Sequence, residues 1–146
     1  MIIEVKNTIK SVDYNESMKI LEQRAKDVFF GKKKELLWII EHNDVYTAGS
    51  SSTSKDLIDK NINIIKTNRG GKVTYHGRGQ KVIYFVLNLN KRGKNIRKLI
   101  TKVENCIIDI LNEFNIKSHP DRKNIGIWVY RNNNKYKIAA IGIKIK

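Results

Sequence analysis

Twelve consecutive residues, Arg69-Gly-Gly-Lys-Val-Thr-Tyr-His-Gly-Arg-Gly-Gln80, hold four glycines around a short β-forming run, Val73-Thr-Tyr75. A glycine in a helix interior is costly, but without a Cβ it tolerates positive φ and close backbone approach. The stretch therefore predicts a turn, a short strand and a second turn. An apolar run, residues 82–89, follows and reads as a buried strand. Backbone N–H groups in such a segment can cradle a carbonyl or a phosphate, with Arg69 and His76 as its polar ends. It is not a P-loop, because no Gly-Lys-Ser/Thr closes it. The glycine spacing also differs from a dinucleotide fingerprint, and no helical pattern follows directly.

Around this segment the chain alternates between two periods. Residues 2–5 read as a first strand. Asp13 then caps a helix over residues 13–30, with Glu16 in capping-box spacing and Tyr14, Met18, Leu21, Ala25 and Val28 on one face. Gly31 and Lys32-Lys-Lys34 end it, placing cations at the negative end of the dipole. Residues 36–40 form a continuous apolar run, read as a buried strand. Gly49-Ser-Ser-Ser-Thr-Ser54 is a loop, and residues 62–65 are a further strand candidate. Residues 96–114 give the longest helix, with Ile96, Leu99, Ile100, Val103, Ile107, Ile110, Leu111 and Phe114 on a wide apolar stripe. Pro120 blocks its continuation. Residues 125–129 and 136–145 read as strands joined by Arg131-Asn-Asn-Asn-Lys135. Mixed strands and helices with a hairpin predict one α/β domain over residues 1–146, its two helices packed on a mixed sheet.

A length of 146 residues suits a single core. No apolar run approaches the ~18 residues of a membrane span. The N-terminal residues lack the apolar core of a signal peptide, so the cytoplasm is the expected compartment. The net charge of +15 reflects a chain crowded with Lys, Ile and Asn. Lys outnumbers Arg, no basic block exceeds three residues, and aromatics are not interleaved with the cations. An acidic protein is therefore a better expected partner than nucleic acid.

Few side chains are candidates for chemistry. Cys106 is the only thiol, and its spacing from Val103 and Ile110 places it on the apolar helix face, where a thiol is inert. His42, His76 and His119 are scattered, without metal-ligand spacing, so no metal is expected. His76, inside the glycine motif, is read as a polar group of a site, and His42 as a support for its loop. Lys137 opens Lys137-Ile-Ala-Ala-Ile-Gly142, whose small residues leave room beside them.

The central motif resembles the signature of lipoyl(octanoyl) transferases, Arg-Gly-Gly-x-Val-Thr-Tyr-His-Gly-Pro-Gly-Gln. Leu36-Leu-Trp-Ile-Ile-Glu-His42 with Val45-Tyr-Thr-Ala-Gly49, Gly126-Ile-Trp-Val129 and the Lys137–Gly142 segment are similar to the same family in the same order. The resemblance implies the fold shared by biotin and lipoate protein ligases. It implies transfer of octanoyl from octanoyl-acyl carrier protein to a lysine of lipoyl domains, those of 2-oxoacid dehydrogenases or the glycine cleavage protein, through a cysteine thioester and with no cofactor. Lys137 would be the acid/base. Arg69, Gly70, Gly71, Lys72, Val73, Thr74, Tyr75 and His76, with Ala140, Ile141 and Gly142, would line the acyl site. Arg78 stands where the family has Pro, which removes a restraint on the turn. The family's His-Gly-x-Ala-x-Asn segment and the Cys of its Pro-Cys-Gly have no counterpart here. The expectation is a chain without the family's C-terminal segment, unable to form the thioester at a catalytic rate. Two other readings stand beside this one, an ATP-dependent lipoate–protein ligase and a basic nucleic-acid-binding module.

Overall fold

The computed structural model describes residues 2–57, 59 and 61–145. They form two compact units, one of residues up to Asn88 together with 144–145, the other of Leu89–Ile143.

In the first unit, β1 (Ile3–Asn7) leads to α1 (Tyr14–Phe29), β2 (Glu35–Ile40), β3 (Val45–Ala48), β4 (Ile64–Lys66), β5 (Val73–His76) and β6 (Val82–Val86). They make two mixed three-stranded sheets. In one, central β2 pairs parallel with β1 and antiparallel with β6; in the other, central β3 pairs parallel with β4 and antiparallel with β5. The core forms on β2, where Leu36, Trp38 and Ile40 are buried and Val12, Leu21, Val82, Tyr84 and Val86 pack against them. These are alternate residues, as the two-residue period of a strand requires. Trp38 satisfies its buried indole N–H by donating to Thr8 Oγ1 at 2.9 Å. At the start of α1, Asp13 Oδ1 accepts the Glu16 N–H at 3.0 Å, as its spacing predicts.

The second unit begins with a short 3-10 turn and α2 (Ile96–Glu113), followed by β7 (His119–Pro120), β8 (Ile127–Arg131) and β9 (Asn134–Ala139). The three strands form an antiparallel sheet with β8 central. Asn132 and Asn133 turn the β8–β9 hairpin with φ of 48° and 61°. Two successive positive φ angles are the mark of the type I′ turn, and Asn tolerates them better than most residues. Ile127 is fully buried beneath this sheet.

The α/β class and both helices follow the sequence reading. Two strands depart from it. The apolar run at 82–89 forms a strand only to Val86, and its side chains alternate between half-buried and exposed. Val82, Tyr84 and Val86 share the face packed on the core, and Ile83 and Phe85 point to the other face, which is exposed. The last strand ends at Ala139, so Ala140, Ile141 and Gly142 lie in an irregular segment rather than in the 136–145 strand expected. The apolar stripe of α2 is partly buried only.

Burial ranks the consequences of truncation. Ile40→Ala, at a position 0% exposed, is expected to lower unfolding free energy by ~2–5 kcal/mol. Ile110→Ala, at 50% exposure on α2, is expected to change it by ~0.5 kcal/mol or less. Urea titrations of the two variants check the ranking.

Candidate functional site

The glycine segment folds as the edge of the β4–β3–β5 sheet and is held by one cation. Arg69 Nη2 donates to the Thr47 carbonyl at 3.0 Å and to Thr47 Oγ1 at 2.7 Å, while Nη1 donates to the Gly70 carbonyl at 3.0 Å. Thr47 is fully buried on β3, so the guanidinium reaches inward. The serine loop is zipped along the same turn. Gly49 N–H donates to the Lys72 carbonyl, Ser50 N–H to that of Arg69 and Ser51 N–H to that of Gly71, at 3.3, 2.9 and 3.2 Å. A Cβ on Gly49 would stand 2.2 Å from the Gly71 oxygen, so only glycine fits that crossing. Gly71 itself has φ of 92°. The N–H groups of Gly70 and Gly71 have no acceptor among the described residues.

Beside the turn, β5 presents its side chains alternately. Tyr75 donates its hydroxyl to Asp44 Oδ1 at 2.9 Å and packs at a tilt against Tyr46, ring centroids 5.0 Å apart. Lys72 pairs with Asp56 at 2.7 Å. Val73 and Thr74 are half-buried along the strand. His76 lies in an aromatic cluster, its ring parallel to Tyr14 with centroids 6.1 Å apart and edge-on to His42 at 5.7 Å.

The tautomers of this cluster follow from its partners. His42 Nδ1 lies 2.9 Å from the Val12 carbonyl, which only accepts, so Nδ1 carries the proton. Nε2 is then the acceptor, and the Tyr84 hydroxyl donates to it at 2.7 Å. His76 Nδ1 similarly donates to Gln80 Oε1 at 3.2 Å, which leaves Nε2 as a free lone pair among the described residues. Burial lowers the pKa of His42. Burial, aided by the charges of His42 and Arg69, lowers that of His76. Burial drives the Tyr84 hydroxyl well above the usual phenol range. At neutral pH the cluster is thus uncharged, a polar surface of defined donors and acceptors.

The remaining expected site residues belong to the second unit. Lys137, on β9, donates from Nζ to the Ile125 carbonyl at 3.0 Å and sits 4.8 Å above the Trp128 ring. Ala140 and Gly142 are exposed and Ile141 half-buried. Each group is thus built within its own unit. A concavity of about 480 Å³ at the hairpin tip is lined by Val129, Arg131, Asn132, Asn134 and Tyr136, none of which is an expected site residue.

Cys106 corrects the reading from spacing. It is exposed rather than core-facing. At 3.6 residues per turn it lies roughly 80° round the helix from the Val103–Ile107 line, at the rim of the apolar stripe. Burial therefore gives no ground for calling this thiol inert. Sequence reasoning also missed Tyr14, Tyr84 and Trp128 as neighbours of the site residues. Trp128 had a usable signal, since a two-residue turn at Asn132–Asn133 fixes the register that sets it opposite Lys137.

The lipoyl protein ligase A/B catalytic domain family matches residues 13–146. An octanoyltransferase of Ehrlichia chaffeensis is 42% identical over 99% of this chain and 69% of its own length. That of Wolbachia pipientis from Culex pipiens is 44% identical over 92% of this chain and 66% of its own. The chain thus spans about two thirds of the length of these curated relatives. Among solved structures, an archaeal bipartite lipoate protein ligase with its E2 lipoyl domain, from Thermoplasma acidophilum, is similar with a TM-score of 0.60 and 14% identity. The likeness covers 91% of this chain and 54% of that one. A P. falciparum protein in complex with lipoate gives a TM-score of 0.56 at 16% identity, over 91% of this chain and 41% of its own. Identities this low show the fold alone. The family match over residues 13–146 and these identities place the chain in the lipoyl protein ligase A/B catalytic-domain family, and within it the chain belongs to the octanoyltransferases, an acyltransferase family.

Two outcomes follow from the glycine turn and the histidine cluster. His42 and His76 bind protons more weakly folded than unfolded, so the unfolded chain takes up protons first as pH falls. Stability is full above their usual value of 6.5 and declines below it. Urea titrations in steps from neutral pH to about pH 5, above the carboxylate range, check this. Gly49→Ala forces a methyl group against the Gly71 oxygen and is expected to cost ~1–3 kcal/mol, with the Gly71 amide resonance displaced in NMR spectra.

Proposed function

We propose that the chain serves octanoyl transfer from octanoyl-acyl carrier protein to a lysine of lipoyl domains, those of 2-oxoacid dehydrogenases or the glycine cleavage protein, in the cytoplasm. The observation that carries the reading is the Arg69-clamped turn before β5, in which residues matching an octanoyltransferase signature hold two backbone N–H groups with no acceptor among the described residues. Attack on a thioester carbonyl moves negative charge onto its oxygen, and fixed backbone donors stabilise that charge. Arg69 orders the turn in this scheme, because the contacts it makes with Thr47 and Gly70 point its guanidinium into the protein. His76 Nε2 offers a neutral acceptor at the same surface. Lys137 is the acid/base, taking the proton that the acceptor amine loses as its C–N bond forms and giving it to the thiolate that leaves as the C–S bond of the thioester breaks. Among the described residues no helix is long and apolar enough to cross a membrane.

The net charge of +15 suits acidic carrier and acceptor domains. Only 14 Asp and Glu face 29 Lys and Arg, so at least 15 cations have no carboxylate of this chain to themselves. The ligase reading shares the fold, but this chain reads His76-Gly-Arg-Gly-Gln80, where ligases have His-Asp-x-Gly-Asn.

Calorimetric binding separates the readings without requiring turnover. Octanoyl-acyl carrier protein is expected to bind weakly, with affinity falling as salt rises. ATP and octanoyl-adenylate are expected not to bind. Intact mass after incubation with octanoyl-acyl carrier protein should show no rapid adduct that disappears in Cys106→Ser. Binding of ATP or the adenylate in place of the thioester would move the chain to the ligases. A rapid Cys106-dependent adduct would make that thiol the nucleophile.

A further inference from the structure

Lys137 is held in a built seat. Its stem runs across Gly126, where an added Cβ would meet its Cδ and Cε at 3.2 Å and the Ala139 oxygen at 2.5 Å. Gly126 also has φ of 137°, which L side chains rarely adopt. The ammonium then reaches the Ile125 carbonyl and the face of Trp128. Neither element is loose. Trp128 donates its indole N–H to the Asn124 carbonyl at 2.8 Å. Asp121 Oδ1 accepts the N–H groups of Lys123 and Asn124 at 2.7 and 3.0 Å, which fixes the turn carrying that carbonyl.

Lys135 supplies an internal comparison. It lies two residues before Lys137 on the same face of β9 and sits 4.7 Å from the same indole. Its ammonium is paired with Asp121 Oδ2, whereas Lys137 has no carboxylate partner among the described residues. A carboxylate would tie down both the position and the charge of an amine. A carbonyl and a π-face fix position without setting an opposite formal charge beside the amine. The two lysines thus share an environment but differ in the one partner that would quench acid/base work.

We infer that Gly126 and Trp128 are the positioning residues of Lys137, Gly126 by leaving its stem a channel and Trp128 by presenting a fixed ring to its ammonium. The inference rests on the reading of Lys137 as the acid/base. Positioning of this kind matters because small displacements of a catalytic group cost large factors in rate.

The seat has a spectroscopic signature that needs no substrate. Lys137 Nζ lies over the indole, so the protons on the adjoining Cε should resonate upfield of those of lysines that lie over no ring, with Lys135 and Lys6, which also lie over indoles, assigned separately. Trp128→Leu should abolish the shift, Trp128→Phe should recover much of it, and Gly126→Ala should reduce it, while Lys135→Gln leaves it in place. Amide spectra identify any variant that fails to fold, and Trp128→Phe retains the test if Gly126→Ala does. An ordinary Lys137 shift in the native chain, or one that survives both Trp128→Leu and Gly126→Ala, overturns the proposal. The acid/base reading fails separately, if the native chain transfers octanoyl to a lipoyl domain and Lys137→Gln transfers it equally fast, while the native chain keeps the shift pattern of the seat.

Discussion

The guanidinium of Arg69 is the interaction on which the arrangement of the first unit's candidate site depends. The Ser50–Ser52 loop and the Gly70–Lys72 turn are both irregular, and neither has an apolar face to hold it. Two chain segments meet at a distance only Gly49 allows, and their carbonyls need donors. Arg69 supplies three contacts, to the Thr47 carbonyl, the Thr47 hydroxyl and the Gly70 carbonyl. Hydrogen bonds to a charged group are worth ~1.5–3 kcal/mol each, more than neutral ones. The planar fork matters as much as the charge, because one nitrogen serves the strand while another serves the turn. An ammonium is a point charge and has no such fork. The result is a turn whose own N–H groups are left over for something else.

The histidine cluster ties that turn to the core by a different route. His42 is fully buried yet satisfied at both nitrogens, between the Val12 carbonyl and the Tyr84 hydroxyl. Val12 precedes α1, Tyr84 lies on β6 and His76 on β5, so the rings of Tyr14, His42, His76 and Tyr84 join three elements separated in sequence. Burying polar groups is tolerable only when each is paired. Here the pairing also sets tautomers, and the free Nε2 of His76 is a product of that chain of partners.

Much of this was legible in the sequence, and the failures share a cause. The α1 cap, both helices, β2 and the β8–β9 turn follow from short-range rules, since capping, period and turn chemistry act within a few residues. The glycine segment was legible because its motif is long. Burial beyond one element was not. The 82–89 run reads as a buried strand, but only the Val82, Tyr84 and Val86 face of β6 is covered. The Cys106 reading took proximity to Val103 and Ile110 for membership of the stripe, whereas the residue sits at its rim. Ala140–Gly142 reads as strand because its residues are apolar, yet β9 ends at Ala139. Contacts such as Arg69 with Thr47, or His42 with Tyr84, span 22 and 42 residues and leave no local pattern.

Charge sets a final constraint that the fold answers locally. Each carboxylate in a described ion pair is drawn to a cation beside it, and Glu4, Asp27, Glu41, Asp56 and Asp121 all have lowered pKa values, with a side-chain hydrogen bond as the first cause. Asp121 is held lowest, by Lys135 and by two backbone N–H groups. These groups favour folding above the ordinary carboxylate range, and that contribution is lost as pH falls through their lowered values. The buried histidines act at higher pH and in the same direction, because protonation opposes their burial. Acid therefore weakens the first unit in two stages, first at the histidine cluster and then at carboxylates such as Glu4 and Glu41. In the second unit Asp121 organises the turn beneath Trp128, so protonating it releases the Asn124 anchor and Lys135 together. The same carboxylate that pairs with Lys135 thus maintains the turn that anchors Trp128, the ring over which Lys137 sits.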